Sequence, residues 1–185
     1  MQDTTAIILC GGAGKRMGGA DKPLLERAGR PLLEHILEEL EPACAGVLIS
    51  ANRNLETYRQ YGEVVTDSEP NRGPLEGIAC ALETLTTPRA FVCPGDAPFV
   101  VAEIAKRLID ALNGSTEQIA VAHDGNRRQP LHMVLSPDHA KSIRAYLDAG
   151  HRSVYGWLET QALIEVVMED LAVAFADLDE PGDLE

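Results

Sequence analysis

The sequence predicts an α/β protein built on a mostly parallel sheet with helices on both faces. Short, continuous apolar runs at residues 6–9, 47–50 and 90–93 are typical of strands that are buried on both sides. Stretches with the apolar spacing of a helix, at residues 31–41 and 75–85, lie between them. The 185 residues contain no internal repeat, low-complexity segment or long linker, so we expect one domain over residues 1–185.

The elements of the first half alternate between strand and helix. The strand at 6–9 ends in a glycine-rich loop, and the next helix is expected to begin at Pro31, a favoured first helical residue, and to stop at Pro42. Its apolar face is formed by Leu33, Ile36, Leu37 and Leu40. After the strand at 47–50, a strand at 63–66 is expected to end at Asp67, and the helix at 75–85 leads to the strand at 90–93.

The second half is expected to depart from the parallel pattern. Residues 119–123 and 131–135 flank the turn at 124–126, which predicts a hairpin-like or mixed-sheet insertion. A helix over 137–147, closed by Gly150, is expected to follow. The last strand candidates are residues 163–168 and 173–175.

The charge of the chain excludes one broad class of function. There are 16 Lys and Arg residues against 29 Asp and Glu, a formal net charge of −13, and nine of the acids follow Arg152. A general nucleic-acid binder takes its affinity from basic residues on phosphates, so we expect no nucleic-acid partner. The acidic end is interpreted mainly as a solubilising surface.

The cysteines and the hydropathy indicate the compartment. Cysteines 10, 44, 80 and 93 lie far apart without a paired spacing, so neither a zinc site nor a disulfide framework is predicted, and Cys80 and Cys93 are expected in the core. No apolar run approaches the ~20 residues that span a bilayer. We therefore expect a cytoplasmic protein with reduced thiols and no membrane partner.

The strongest chemical signal is the glycine-rich loop after the first strand. Its glycines let backbone N–H groups approach phosphate oxygens, and Lys15, Arg16 and Lys22 can neutralise them. No Gly-Lys-Ser/Thr closes the loop, so it is not a Walker A loop, and Met17 stands where a dinucleotide fingerprint requires its third glycine. The loop predicts phosphate binding of another kind.

A second signal, Asp96, follows a predicted buried strand and lies between Pro94 and Pro98. On residue type alone, a helix cap or turn is the commoner role for such an aspartate. Its place beside a phosphate loop favours Mg²⁺ instead, because magnesium takes one or two carboxylates together with phosphate oxygens and water.

Two further loops are candidates for ligand contact. Gly73 and Gly77 allow a ligand or a neighbouring backbone to approach, although helix packing alone explains Gly77 equally well. Arg127 and Arg128 are able to meet an anionic substrate, or they are merely solvated turn residues. No nucleophile-and-base arrangement of Ser, Cys and His is evident, so covalent catalysis is not predicted.

Four segments together resemble the molybdenum cofactor guanylyltransferases, the MobA family. Residues 9–22 are similar to the family's L-A-G-G-x-x-x-R-M-G-G-x-D-K except at Cys10. Residues 73–77 resemble its G-P-L-x-G, residues 94–99 its P-C-D-x-P-F/Y, and residues 124–131 its D-G-x-x-Q-P. The cytidylyl-transferring relatives tend to carry L-A-A-G, so the double glycine favours the guanylyl family. The resemblance runs over nearly the whole chain.

The resemblance implies a fold and a reaction. The fold would be a Rossmann-like, nucleotide-diphospho-sugar-transferase-type three-layer α/β/α sandwich. The reaction would transfer GMP from GTP to the terminal phosphate of molybdopterin, with or without its metal, and release diphosphate. Because that phosphate is already an anion, a direct in-line attack without a general base is expected. Transient contact with cofactor delivery proteins or apo-molybdoenzymes is also implied.

The resemblance also implies the site residues. The backbone of residues 9–11 would hold the guanine nucleotide, Arg16 and Lys22 would serve its phosphates, Asp67 would lie near the nucleoside, and Asp96 would bind Mg²⁺. Arg16, Lys22 and Asp96 are accordingly the expected catalytic residues. The expected nucleotide-binding set is Leu9, Cys10, Gly11, Gly12, Lys22, Asp67, Gly73 and Asp96.

Two departures from the family pattern leave alternatives open. Where the family usually has N-x-N-T-P, the chain has Asp177 and Asp179, either of which is a candidate for an added Mg²⁺ ligand. Ser50 stands where many relatives carry Asn near the base, which weakens a residue-level account of guanine selection. The alternatives are a molybdopterin cytidylyltransferase, a sugar-1-phosphate nucleotidyltransferase, or a non-catalytic nucleotide-binding or cofactor-delivery protein.

Overall fold

A seven-stranded mixed sheet organises the fold in the computed structural model, which describes residues 1–11 and 21–176. Its strand order is β5-β4-β1-β6-β8-β7-β9, and β2 and β3 form a separate small hairpin. The strands are β1 (Thr4–Leu9), β2 (Glu26–Arg27), β3 (Arg30–Pro31), β4 (Gly46–Ser50), β5 (Glu63–Val65), β6 (Arg89–Pro94), β7 (Ile119–His123), β8 (Arg128–Leu135) and β9 (Ile164–Val167).

Helices cover both faces of this sheet. They are α1 (Leu32–Leu40), α2 (Leu55–Tyr58), α3 (Pro74–Thr84), α4 (Ala102–Leu112), α5 (Ala140–Asp148) and α6 (Val154–Leu158). Successive residues of β1 point to opposite faces, so Ile8 packs with α1 and α4 while Ile7 packs with α3 and α5. The expected three-layer α/β/α sandwich is confirmed. None of the helices in residues 1–11 and 21–176 is both long enough and apolar enough to cross a membrane.

Strand direction brings several loops to one edge of the sheet. Strand β1 runs parallel to β4 and β6, and β4 runs parallel to β5, so all four end at the same edge. Strand β8 is antiparallel to β6, and its first residues therefore lie at that edge too. Backbone hydrogen bonds continue past the strand ends, from Cys10 N to Ser50 O at 2.8 Å and from Gly95 N to Leu9 O at 3.0 Å.

The predicted elements agree with most of this architecture. The antiparallel pairing of β7 with β8 confirms the hairpin in a mixed sheet. Pro31 caps α1 rather than starting it. The predicted helix from 137 starts as a single 3-10 turn, Pro137–His139, which continues into α5. Helix α4 is not among the predicted elements, although its apolar residues repeat at helical spacing.

The predicted strand at 173–175 is wrong. These residues end a 3-10 helix, Glu169–Phe175. The helical turn buries Ala174 and Phe175 together and leaves Val173 74% exposed, whereas a strand would point Ala174 away from both neighbours. The ring of Phe175 packs edge-on against His132, with centroids 5.0 Å apart. The candidate metal ligands Asp177 and Asp179 lie outside the described residues.

Candidate active site

A cavity of about 1060 Å³ opens at the edge where β1, β4, β5 and β6 end. Leu9, Gly11, Asp67, Gly73 and Asp96, all expected site residues, line it. Its opposite side is formed by residues 127–132 and Tyr155. Ligands of open α/β sheets bind beyond the carboxyl ends of the parallel strands, which is where this cavity lies. Gly12 and Arg16, the other expected residues of the phosphate loop, fall outside the described ranges.

Lys22 and Asp96 meet at this edge, although 74 residues separate them in sequence. The Lys22 Nζ donates to Asp96 Oδ2 at 3.3 Å, and both side chains are partly buried. Lys22 begins the 3-10 turn Lys22–Leu24 that returns from the glycine-rich loop, whereas Asp96 follows β6. A cation and a carboxylate therefore stand side by side, as phosphate and metal binding would require.

Gly95 makes this juxtaposition possible. A Cβ at position 95 would lie 2.9 Å from Cys10 Sγ and 2.9 Å from Pro23 Cγ. The three segments that carry Cys10, Lys22 and Asp96 therefore pack too closely for a side chain at this point. Cys10 itself is buried behind the cavity wall rather than lining it.

The side chains around Asp96 suit magnesium better than a metal whose ligands all come from the protein. No group of three or more His, Cys, Asp or Glu side chains able to hold a metal occurs within residues 1–11 and 21–176. Mg²⁺ characteristically uses one or two carboxylates and completes its shell with phosphate oxygens and water. Asp96, a single partly exposed carboxylate next to the Lys22 ammonium group, could serve as such a partial shell.

Asp21 supports the candidate site from outside the cavity, a role that the sequence does not reveal. It precedes Lys22, is only 9% exposed, and accepts a hydrogen bond from Asn54 Nδ2 at 2.9 Å. Arg53 Nε lies 3.4 Å from the same carboxylate oxygen. Asp21 thus anchors the end of the glycine-rich loop to the segment between β4 and α2. The Asp-Lys pair in the family-like motif is the signal that points to it.

Asp67 follows β5 and lines the same cavity. Its backbone N–H donates to Asn52 Oδ1 at 2.9 Å, which joins the ends of β4 and β5. Burial raises the pKa of the Asp67 carboxyl above its ordinary value. Gly77 in α3 faces this residue closely, because a Cβ there would lie 3.4 Å from Asp67 Oδ1 and only 2.3 Å from Ser50 Oγ.

The two arginines of the β7–β8 turn differ in their surroundings. The Arg128 guanidinium contacts Glu159 and Glu165 and lies over the Tyr155 ring, 5.0 Å from its centroid. Its charge is therefore already compensated by two carboxylates. Arg127 is exposed at the cavity rim, which makes it the better placed of the two to meet an anionic substrate.

The cysteines offer no nucleophile. All four are buried. Burial, with smaller contributions from Cys93 and Asp21, raises the pKa of the Cys10 thiol well above its usual range. A thiol rather than a thiolate is present at neutral pH, and the thiol is a poor nucleophile. The cysteines are therefore poor candidates for a covalent intermediate.

Comparison with known proteins identifies the family to which the chain belongs. Residues 6–163 match the model of the MobA-like NTP transferase domain. The molybdenum cofactor guanylyltransferase of Cupriavidus taiwanensis is 37% identical over 189 aligned residues, covering 98% of this chain and 94% of the relative. That of Shewanella halifaxensis is 35% identical over 178 residues, covering 95% and 89%.

The fold has a close match among solved structures. Molybdopterin-guanine dinucleotide biosynthesis protein A from Archaeoglobus fulgidus superposes with a TM-score of 0.82 at 21% identity, covering 97% of this chain and 94% of that one. The family predicted from the sequence motifs is confirmed. This chain is a member of the MobA-like nucleotidyltransferase family.

Proposed function

We propose that the chain transfers GMP from GTP to the terminal phosphate of molybdopterin, forming molybdopterin guanine dinucleotide and diphosphate. Two full-length relatives carry the name of that activity. The observation that carries the proposal is the contact of Lys22 with Asp96 at 3.3 Å, in which Asp96 lines the cavity and Lys22 lies directly beside it. A protein that only binds or delivers a cofactor has no need of a cation and a metal-type carboxylate side by side.

The nucleotide is proposed to lie across the strand ends. The backbone of residues 9–11 would hold the guanine, Asp67 would meet the nucleoside, and the phosphates would extend towards Lys22. Asp67 at one end of this path and Asp96, the partner of Lys22, at the other line one cavity, and its volume suits a nucleotide together with a second substrate. Gly73 opens the path further, because its φ of 77° suits glycine and leaves the entrance to α3 without a side chain.

The proposed chemistry is one in-line displacement. An oxygen of the acceptor phosphate forms a bond to the α-phosphorus of GTP, and the bond from that phosphorus to the bridging oxygen breaks, so diphosphate leaves with the electron pair. Lys22 is placed to donate to phosphate oxygens as charge develops on them. Asp96 would hold Mg²⁺, which supplies charge neutralisation at the phosphates when bound.

The protein's main contribution is position rather than proton transfer. The attacking phosphate oxygen is already anionic, so no side chain has to remove a proton. Holding two anionic substrates in line within one cavity supplies much of the rate enhancement. The acceptor is proposed to enter over residues 127–131 and Tyr155, opposite the nucleoside end, with Arg127 at the rim.

The test is diphosphate release from GTP or CTP, with molybdopterin or a sugar 1-phosphate as acceptor. We expect turnover with GTP and molybdopterin, and a loss of ~10²-fold or more in kcat for Lys22→Gln and for Asp96→Asn. The matched controls are Lys106→Gln and Asp110→Asn on exposed positions of α4, which make the same charge changes away from the cavity.

Each alternative has its own result in the same assay. Release from CTP in place of GTP would assign a cytidylyltransferase, and turnover of sugar phosphates would assign a pyrophosphorylase. GTP binding in Mg²⁺ without any diphosphate would assign a binding or delivery protein. A GMP–enzyme adduct that forms and decays fast enough to be an intermediate would contradict the direct in-line step.

A further inference from the structure

Glu76 is a fully buried carboxylate that the reaction itself does not require. It lies in the first turn of α3, at the variable position of the G-P-L-x-G-like segment, and its exposed fraction is 0%. Glutamate is almost never fully buried unless it is paired, because removing its charge from water is costly. Its partners therefore indicate what the burial serves.

Those partners are the residues that directly follow Asp67. The hydroxyl of Ser68 donates to Glu76 Oε1 at 2.6 Å, and the backbone N–H of Glu69 donates to the same oxygen at 3.3 Å. Asp67 is held from the opposite direction by the bond from its N–H to Asn52. The loop after β5 is thus tied to α3 one residue beyond the aspartate that faces the cavity.

The charge of Glu76 is balanced by Arg144 of α5. One guanidinium nitrogen of Arg144 donates to Glu76 Oε1 at 2.7 Å, and the other two donate to Glu83 at 2.9 and 3.0 Å. Burial alone would raise the pKa of Glu76, but the hydrogen bonds from Ser68 and Arg144 and the charge of Arg144 outweigh it and bring the pKa to about 2. The carboxylate is therefore ionised throughout the physiological range.

We propose that Glu76 is a positioning residue for nucleotide binding, because its carboxylate fixes the loop that presents Asp67 to the nucleoside end of the cavity. Arg144 enables this by balancing the buried charge through its bond to Oε1, and Arg72 Nη1 lies 3.9 Å from the other carboxylate oxygen. The inference rests on the proposed function, in which Asp67 meets the nucleoside. A carboxylate that has to be held within a fraction of an ångström is best supported by such a second layer of hydrogen bonds.

A purely structural role for Glu76 makes a different prediction. Arg144 joins α3 to α5 through Glu83 as well as through Glu76, so loss of either carboxylate weakens the contact between these helices. Only Glu76 also contacts the loop. Glu83→Gln is therefore the matched control: it makes the same chemical change, affects the same arginine and leaves the loop bonds in place.

The experiment measures kcat and KM for GTP, with Mg²⁺ and saturating molybdopterin, and GTP affinity by calorimetry. Glu76→Gln and Ser68→Ala are expected to raise KM and Kd about five- to ten-fold, the equivalent of about one ordinary hydrogen bond, with kcat changed less than about two-fold. Glu83→Gln is expected to leave KM, Kd and kcat at the wild-type values even if it lowers the free energy of unfolding. Ser68→Ala combined with Glu76→Gln should add little to Glu76→Gln alone.

Two outcomes would overturn the proposal. One is wild-type KM and Kd in both Glu76→Gln and Ser68→Ala; the other is an equal rise in KM for Glu83→Gln. If Glu76→Gln does not fold, Ser68→Ala decides alone, because Ser68 is exposed and has no part in the contact between the helices. A wild-type protein that releases no diphosphate from GTP would instead contradict the proposed function, so the two failures are distinguishable.

Discussion

Gly77→Ala is expected to destabilise the protein even though alanine is the better helix former. Gly77 lies within α3, and its φ is not in the left-handed region, so the backbone itself accepts a side chain. The space does not: a Cβ would lie 2.3 Å from Ser50 Oγ and 3.5 Å from Ser50 Cβ. The helix approaches the end of β4 this closely only because position 77 has no side chain.

The magnitude follows from two opposing contributions. Alanine in place of glycine in a helix interior gains up to ~1 kcal/mol. Overpacking a filled site costs ~1–3 kcal/mol. Ser50 is only 4% exposed, so the contact has to be relieved by a turn of its hydroxyl away from α3 or by a shift of α3 away from β4. We expect the free energy of unfolding to fall by ~1–2 kcal/mol.

Urea denaturation of four proteins tests this: wild type, Gly77→Ala, Ser50→Ala and the double variant. Removing the Ser50 hydroxyl deletes the 2.3 Å contact, and the remaining contacts of the new Cβ are at ordinary van der Waals distances. The double variant should therefore be at least as stable as Ser50→Ala. The coupling energy should be ~1–3 kcal/mol. Gly46→Ala, where nothing lies within 4 Å, is the control without a clash. A Gly77→Ala protein as stable as wild type, with no coupling to Ser50, would refute the steric reasoning.

Three further outcomes are expected. Gly95→Ala should lower the free energy of unfolding by ~1–3 kcal/mol, and the addition of Cys10→Ala should recover part of it in the same urea assay, because a side chain at 95 meets Cys10 Sγ. Burial lowers the pKa of His132 from 6.5 to about 3, so between these values only the unfolded chain takes up the proton. The free energy of unfolding should therefore fall as the pH decreases through that window. The urea midpoint of His132→Leu should fall less steeply than that of the wild type over the same pH range. The native protein should resist iodoacetamide, with all four thiols reacting only in urea, since all four cysteines are buried and burial raises the pKa of Cys44 to about 11.

The placement of the candidate site could be predicted because it follows from strand direction. Asp67 and Asp96 come 29 residues apart in the chain, yet each follows a continuous apolar run that indicates a buried parallel strand. Parallel strands end at the same edge, so both carboxylates and the first residues after β1 had to lie along that edge, where Gly11, Asp67 and Asp96 line one cavity. This reasoning needs only local patterns and one rule of topology.

The pairings of charged side chains could not be predicted in this way. Arg128 resembles a free turn cation in sequence, but β9 lies beside β7 and brings Glu165 to it, while Glu159 approaches from the end of α6. These contacts join residues 31 and 37 positions apart and follow no period. The strand predicted at residues 173–175 is wrong for a related reason. A run of three apolar residues fits either a strand or a helical turn, and only the packing of Phe175 decides between the two.

The departures from the family-like motifs acquire meaning when they are considered in contacting pairs. The chain has Cys10 where the family-like motif has Ala, and Gly95 where the P-C-D-x-P-F/Y motif has Cys. The Cys10 sulfur would lie 2.9 Å from the Cβ of a side chain at position 95, so the two positions compete for the same space. Glu76 is similar, because the motif leaves its position variable while its burial depends on Arg144, 68 residues away. Substitutions at either site are therefore interpretable only alongside their partners, and a side chain added at position 95 should cost stability as long as Cys10 keeps its sulfur.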